Sequence, residues 1–371
     1  MVLALREIRR STTRFVLLTG ALALLVVLIV GLQAMLGGLL TQFVGALEHQ
    51  SGEVVVFGDD ARRNVEGSIV DDDAVAAVRR TEGVVAADPV VEGSLTVQAG
   101  GEDVDAALFG YPLGGVGAPT TLVAGRLPED GGEAVASEAD RDDGFGLGDR
   151  VTLGEGGPTV EVVGLAADTN YLTRPTLFVA DATAVEAKRA ANPDAVAIPA
   201  SVIAVDVAPD EDAGSVADRI TAEVEGVEAL PRQAAADAAP GAAATAQSMW
   251  LIIAVALAAA VLLVGFFFAI LAVQQAPTYA LLHAIGCPGR RLAATLAAQL
   301  ALVVGVAVVV GTALVAAAEA SGVMGELLDL DPAGAAGTVA VLVAGAAVAS
   351  LGAFRRLRRI DPLTVVWGGT R

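Results

Sequence analysis

The sequence predicts a membrane protein with four transmembrane α-helices and a large α+β extracytoplasmic domain between helices 1 and 2. Three observations predict it. The 371 residues are 54% hydrophobic and only 18% charged, with a mean hydropathy of +0.64, too apolar for an ordinary soluble globule. Four uncharged apolar runs approach or exceed the roughly 20 residues that a bilayer-spanning helix needs. Between the first and second of them, residues 48–240 alternate strand-like and helix-like patterns and are long enough to enclose their own core.

In chain order, residues 1–14 set Val2, Leu3, Leu5 and Ile8 against Arg6, Glu7, Arg9 and Arg10, the pattern of an amphipathic helix on the inner leaflet. No ionisable residue occurs from Phe15 to Leu47. Residues 15–36 are the first span, and the run continues to about 47 as a stalk or bends at Gly37 and Gly38. It is too long for the apolar core of a cleaved signal peptide, about 7–15 residues.

In the outer domain, Val54–Phe57, Leu95–Val97, Val151–Leu153, Val160–Val163, Thr176–Val179 and Val202–Val207 have strand length and β-branched content. Asp71–Arg80 opens with three acids at the favourable end of a helix dipole, and Ser215–Val224 places Val216, Ile220 and Val224 four apart. Gly-Gly and Pro-Glu-Asp-Gly-Gly mark turns. Pro231–Ala246 joins the domain to the second span and is expected to be helical after Pro240.

The second span is 248–273, with Trp250 near its outer end, where aromatic belts lie. A cytoplasmic helix or loop, 274–291, precedes the third span at 292–317. An outer loop, 318–334, carries Glu319, Glu326, Asp329 and Asp331 without Lys or Arg; the fourth span is 335–354, and 355–371 form a tail. Gly305, Gly311, Gly334, Gly345 and Gly352 permit close helix packing or reflect the Ala- and Gly-rich composition. Arg6, Arg9, Arg10 and Arg14, then Arg290 and Arg291, then Arg355, Arg356, Arg358 and Arg359 mark three cytoplasmic flanks. Both termini are therefore expected inside a bacterial cell membrane.

The charge and rare residues exclude several functions. A net charge of −20 argues against a nucleic-acid partner, which needs an uncompensated basic face. Between Gly37 and Gln247 there are 37 Asp and Glu against 12 Lys and Arg, read as a solvated surface. Cys287 is the only cysteine, so no disulfide framework or Cys-based zinc site forms within one chain. The acidic runs Asp71–Asp73, Asp140–Asp143 and Asp210–Asp212 lack the alternating ligands and closing Glu of a calcium loop, so no metal site is expected. The sole lysine, Lys188, has no glycine-rich loop before it, which excludes a Walker A ATP site. With only His49 and His283, no G-x-S-x-G and no H-E-x-x-H, no catalytic residue is assigned and no intrinsic cofactor is expected. The spans carry none of the buried charges of an ion-coupled carrier, so energy for work has to come from a partner.

Three local patterns in order resemble the permease subunits of ABC transporters of the MacB/FtsX-like class. The first is Leu122-Val123-Ala124-Gly125-Arg126-Leu127-Pro128, followed by Glu133-Ala134-Val135, Gly146-Leu147-Gly148-Asp149-Arg150-Val151 and Val160–Leu165. The second is Tyr279-Ala280-Leu281-Leu282-His283-Ala284-Ile285-Gly286-Cys287-Pro288-Gly289-Arg290-Arg291, and the third Arg359-Ile360-Asp361-Pro362-Leu363. The resemblance spans essentially the whole chain. It implies a homodimeric permease in the lipid bilayer that works with a separate cytoplasmic ABC ATPase by mechanotransmission, and a β-rich subdomain at about 119–181. It also implies that Tyr279, Leu282, His283, Ile285, Gly286, Arg290 and Arg291 couple to that ATPase. Pro277 and Thr278 stand where many members carry charged residues, and His283 stands where Arg is usual.

Arg6-Glu7-Ile8-Arg9, Arg14-Phe15, Gly37-Gly38-Leu39 and Ala46-Leu47-Glu48 resemble the haem-exporter branch, HrtB/DevC-like. On that resemblance haem is a candidate substrate, held at the outer end of the first span. Glu48 or His49 would be the axial ligand, with Phe43 and Leu47 lining the slot. Adjacent helical residues point about 100° apart, so the choice between Glu48 and His49 stays open, as does a reading in which they only mark where the stalk meets water. Two other functions share the topology: an FtsX-like regulator that drives a cell-wall hydrolase without transport, and an anchored surface binding protein with no ATPase.

Overall fold

The uncharged run after Arg14 folds as one helix, α1 (Thr12–Glu48), continuous through Gly37 and Gly38. The computed structural model describes residues 12–284, 289–321 and 332–357; most of the expected inner-leaflet helix, outer loop and tail lie outside them. The chain divides into two units, 1–38 with 247–371, and 39–246. α1 contributes residues to both.

The second unit is built on a ten-stranded sheet, and its strands are β1 (Val54–Gly58), β2 (Val84–Ala99), β3 (Glu102–Tyr111), β4 (Leu122–Gly125), β5 (Glu133–Ser137), β6 (Arg150–Leu153), β7 (Thr159–Ala166), β8 (Thr176–Ala180), β9 (Val202–Val207) and β10 (Val227–Pro231). They run in the order β10-β1-β9-β2-β3-β8-β5-β7-β4, with β6 pairing β2 and β7. Most neighbours are antiparallel, but β3 with β8 and β5 with β7 are parallel. Its short helices are α2 (Asp72–Val78), α3 (Asp181–Ala191), α4 (Ala213–Glu223) and α5 (Arg232–Ala238).

The apolar patterns explain this arrangement. β1 is buried along its whole length, which is why Val-Val-Val-Phe shows no polar alternation. Val54 and Val56 face a core with Val75 and Val78 of α2 and Val216 and Ile220 of α4. Val55 and Phe57 face a second core with Leu47, Phe109, Tyr171 and Phe178. A third core packs β6, β7 and β8 against Ala184 and Ala187 of α3. The two acid-led helices are capped as their sequences suggest. Ala74 N donates to Asp71 Oδ1 at 2.8 Å, and Ser215 N donates to Asp212 Oδ2 at 3.0 Å.

Three elements depart from the sequence expectation. β2 extends far beyond Leu95–Val97 and makes a hairpin with β3 through Gly100 and Gly101, whose φ values of 59° and 89° suit a two-residue primed turn. The charged start Glu102-Asp103-Val104-Asp105 hides β3 from periodicity. Helix α5 is an addition before Pro240: Ala239 is extended (ψ 133°), the conformation a following proline favours, and the helix expected after Pro240 begins at Ala242.

In the other unit, α6 (Ala242–Ala284), α7 (Gly289–Ala320) and α8 (Pro332–Leu357) accompany the first part of α1. Phe15–Glu48, Ala242–Ile270 and Ala297–Ala320 are long and apolar enough to cross a membrane; Pro332–Gly345 is a shorter apolar helix. Gly311 of α7 lies directly on α1, where an added Cβ would come within 2.6 Å of Val26 Cγ1 and 3.1 Å of the Ala23 carbonyl. Such contacts hold apolar helices together where water provides no driving force. Phe15 meets Phe267 of α6 edge-on at 5.9 Å, and Gln33 Nε2 donates to Thr338 Oγ1 of α8 at 2.6 Å.

Candidate functional site

The last turns of α1 within the outer unit gather most of the structural detail. A loop joins these turns through main-chain hydrogen bonds. Leu172 N donates to Phe43 O at 3.0 Å and Thr173 N to Gln42 O at 2.9 Å, while Ala46 N donates to Asn170 O at 3.1 Å. The loop comes this close because position 45 is glycine: a Cβ there would lie 2.3 Å from Asp168 O. Asp168, Leu172 and Thr173 hold φ of 57°, 51° and 58°, a region non-glycine residues avoid at a cost of order 1–3 kcal/mol each. The surroundings fix it. Asn170 Nδ2 donates to Asp140 Oδ2 at 2.9 Å, the Tyr171 ring stands edge-on to Phe109 at 5.2 Å, and Arg174 Nη1 donates to Ser94 Oγ at 2.8 Å.

Phe43 is half-buried and packs with Leu40 and Val44 against Ala236, Ala239 and Ala242. Leu47 is 1% exposed and belongs to the sheet's core. Glu48, partly exposed, is the last residue of α1. His49 Nδ1 lies 3.2 Å from Gly45 O, a carbonyl that only accepts, so Nδ1 is the donor of this contact. The His49 carbonyl accepts from Thr120 N and Oγ1, both at 2.8 Å. Phe43, Glu48 and His49 thus share the end of α1 with some exposed surface, whereas Leu47 stands behind them in the core.

Of the other candidates, Tyr279, Leu282 and His283 lie on the last turns of α6, with no break between them and the apolar stretch. Arg290 and Arg291 open α7. Ile285 and Gly286 lie outside the described residues.

The Gly125–Val151 pattern is fold chemistry. The Arg126 guanidinium grips Glu133 at the start of β5, with Nη1 to Oε2 at 2.7 Å, and with the Glu129 amide pulls that carboxylate down to about 2. Asp149 Oδ2 accepts from Gly146 N at 2.9 Å, closing the turn before β6, and Val151 is fully buried. Among the described residues no group of three or more His, Cys, Asp or Glu is placed to hold a metal ion. The clasp formed by Gly45 and residues 168–174 was not visible to sequence reasoning, because left-handed backbone at Asp, Leu and Thr leaves no compositional mark.

Residues 15–223 match the family of the MacB-like periplasmic core domain. The chain is similar to the periplasmic region of MacB from Actinobacillus actinomycetemcomitans, at 15% identity and a TM-score of 0.36, over 50% of this chain and 90% of that one. It is also similar to the extracellular domain of the noncanonic ABC-type transporter YknZ from Gram-positive bacteria, at 16% identity and a TM-score of 0.33, over 48% and 98%.

Proposed function

This chain belongs to the MacB-like periplasmic core domain family, and from that premise we propose that it is the permease subunit of an ABC-type efflux transporter, a homodimer driven by a separate cytoplasmic ATPase. The observation that carries the reading is the extent of the family match, which begins in the first apolar helix and covers most of the outer domain, to residue 223. An unbroken α1 from Thr12 to Glu48 and an unbroken α6 from Ala242 to Ala284 support it. Support for α8 as a fourth span comes from the Gln33–Thr338 hydrogen bond, since polar side chains inside a membrane bundle pair across helices.

In this proposal the ATPase acts on the end of α6 and the start of α7, through Tyr279, Leu282, His283, Ile285, Gly286, Arg290 and Arg291. Movement then reaches the outer domain and expels an amphipathic substrate. Haem is the substrate to test first: His49 Nε2 and the Glu48 carboxylate are candidate axial ligands beside Phe43, and Leu47 would shape the site from behind.

Two experiments test this. The chain is co-purified with a co-expressed candidate ABC ATPase from the same genome, and ATP hydrolysis is compared with and without deletion of Tyr279–Arg291; equal rates would overturn the coupling. Haemin is titrated into the complex and its Soret band followed, with Glu48→Ala and His49→Ala alongside. A saturable shift lost in either variant assigns haem and its site, and a shift indifferent to both removes haem. ATPase activity stimulated by an extracytoplasmic cell-wall hydrolase, with no substrate moved, would replace export by regulation.

A further inference from the structure

Strand β2 is shared by the two halves of the sheet. Val84–Val90 pair with β9, and Val91–Ala99 pair with β3. Glu92 stands just past that change of partner. It pairs in register with Phe109, so both side chains lie on one face of the sheet, the face whose core includes Phe109 and Tyr171.

Glu92 is 3% exposed, and its Oε1 has no hydrogen-bond partner. The groups that face it are Glu66 from the loop before α2, Ser94 on β2, Tyr171 and Arg174 from the loop after β7, and Lys188 from α3. Both cations are engaged elsewhere. Lys188 Nζ donates to the main-chain oxygen of Glu92, and Arg174 Nη1 donates to Ser94 Oγ, whose hydroxyl in turn reaches Glu66 Oε1 at 3.2 Å. Among the described residues Glu92 makes no salt bridge. Burial first, and then the neighbouring Glu66, outweigh Lys188, the Ser94 hydroxyl and Arg174 and hold this acid up at about 7.

Tyr171, edge-on to Glu92's cross-strand partner Phe109, and Arg174, bonded to Ser94 two residues along the same face, belong to the loop that bonds to α1 through Leu172 and Thr173. We propose that Glu92 is a proton-binding site of the outer domain, and that loss of its proton loosens the Asp168–Arg174 loop from the last turns of α1. The packed arrangement suits the neutral acid, because a buried carboxylate without a hydrogen-bonded cation is unfavourable. A carboxylate becomes acceptable once water reaches it, so any state in which the cover lifts binds the proton more weakly. Proton linkage then requires the lifted state to gain population as pH rises. The window runs from the ordinary carboxylate value of 4.5 to about 7. The loop is the part of the cover that yields, because Leu172 and Thr173 keep their left-handed backbone only while α1 holds them. The inference concerns the outer domain alone and stands whether or not the chain transports.

The test is hydrogen exchange on the full chain in lipid nanodiscs across that window, with rates divided by intrinsic chemical exchange. Protection of the peptide containing Leu172 and Thr173 is expected to fall at least about tenfold in the wild type as pH rises. In Glu92→Gln it should stay level. In Glu66→Gln the fall should start at the same pH but level off at a lower one, moving its midpoint down, because Glu66 raises the packed acid's affinity for its proton. Level protection in the wild type, or an unchanged fall in Glu92→Gln, overturns the proposal. Should Glu92→Gln fail to fold, the Glu66→Gln midpoint decides, and a midpoint that does not move overturns it equally.

Discussion

Gly45 shows how the absence of a single side chain sets the geometry of the last turns of α1. Valine at this position would drive its Cβ into Asp168 O, 2.3 Å away in the native backbone. Gly45→Val is therefore expected to push the loop off α1 at a cost of about 1–3 kcal/mol, read as a lower melting temperature and faster exchange at Ala46 N–H. Asp71 is the opposite case, a residue whose role its sequence context announced. Asp71→Ala removes the acceptor for Ala74 N and should cost about 1 kcal/mol in denaturant unfolding. The two residues differ in legibility for a physical reason. A cap acts within one turn of chain, while the need for glycine at 45 arises from Asp168, far away in sequence. Leu47 carries the same lesson for the candidate site: an apolar residue at a helix end reads alike whether it lines a slot or fills a core, and packing alone separates the two.

At the scale of elements, chains that bury both faces of a strand or one stripe of a helix were readable, and those that bury little were not. β1, β8 and β9 are short apolar runs and were expected. α3, with Lys188 and Arg189 in its last turn, and α5, mostly alanine, carry too weak a stripe to announce themselves. The apolar helices were plain in outline, yet their packing was not: among the glycines of α7, Gly311 meets α1 while Gly305 has nothing within 4 Å. Gly311→Leu is thus expected to separate α1 from α7 and lower the melting temperature in detergent, and Gly305→Leu to leave it unchanged. Equal effects would mean that the close contact at Gly311 is not what joins these helices.

For the whole molecule, two carboxylates shape stability against pH in opposite senses. Glu92 is raised in the folded chain, so the folded state takes up a proton on folding at intermediate pH. Its contribution is intact below 4.5 and declines as pH rises to about 7, by roughly 3 kcal/mol at most. Glu133 is lowered to about 2, so its contribution is present above the ordinary carboxylate value and lost as pH falls through about 2. Melting of Glu92→Gln is expected to be flatter than wild type between pH 4.5 and 7, and the variant more stable at pH 8. A wild-type slope retained in the variant would assign the dependence to other groups.

The sheet order carries a consequence for biosynthesis. β1 emerges from the ribosome just after the first apolar helix, but both of its neighbours, β9 and β10, are the last strands to be made. During that delay a Val-Val-Val-Phe segment waits with both edges unpaired, the condition under which strands seek partners on other chains. Export chaperones at the membrane surface would have their clearest target there, and slowing translation beyond β1 should lower the yield of folded protein more than slowing it beyond β10.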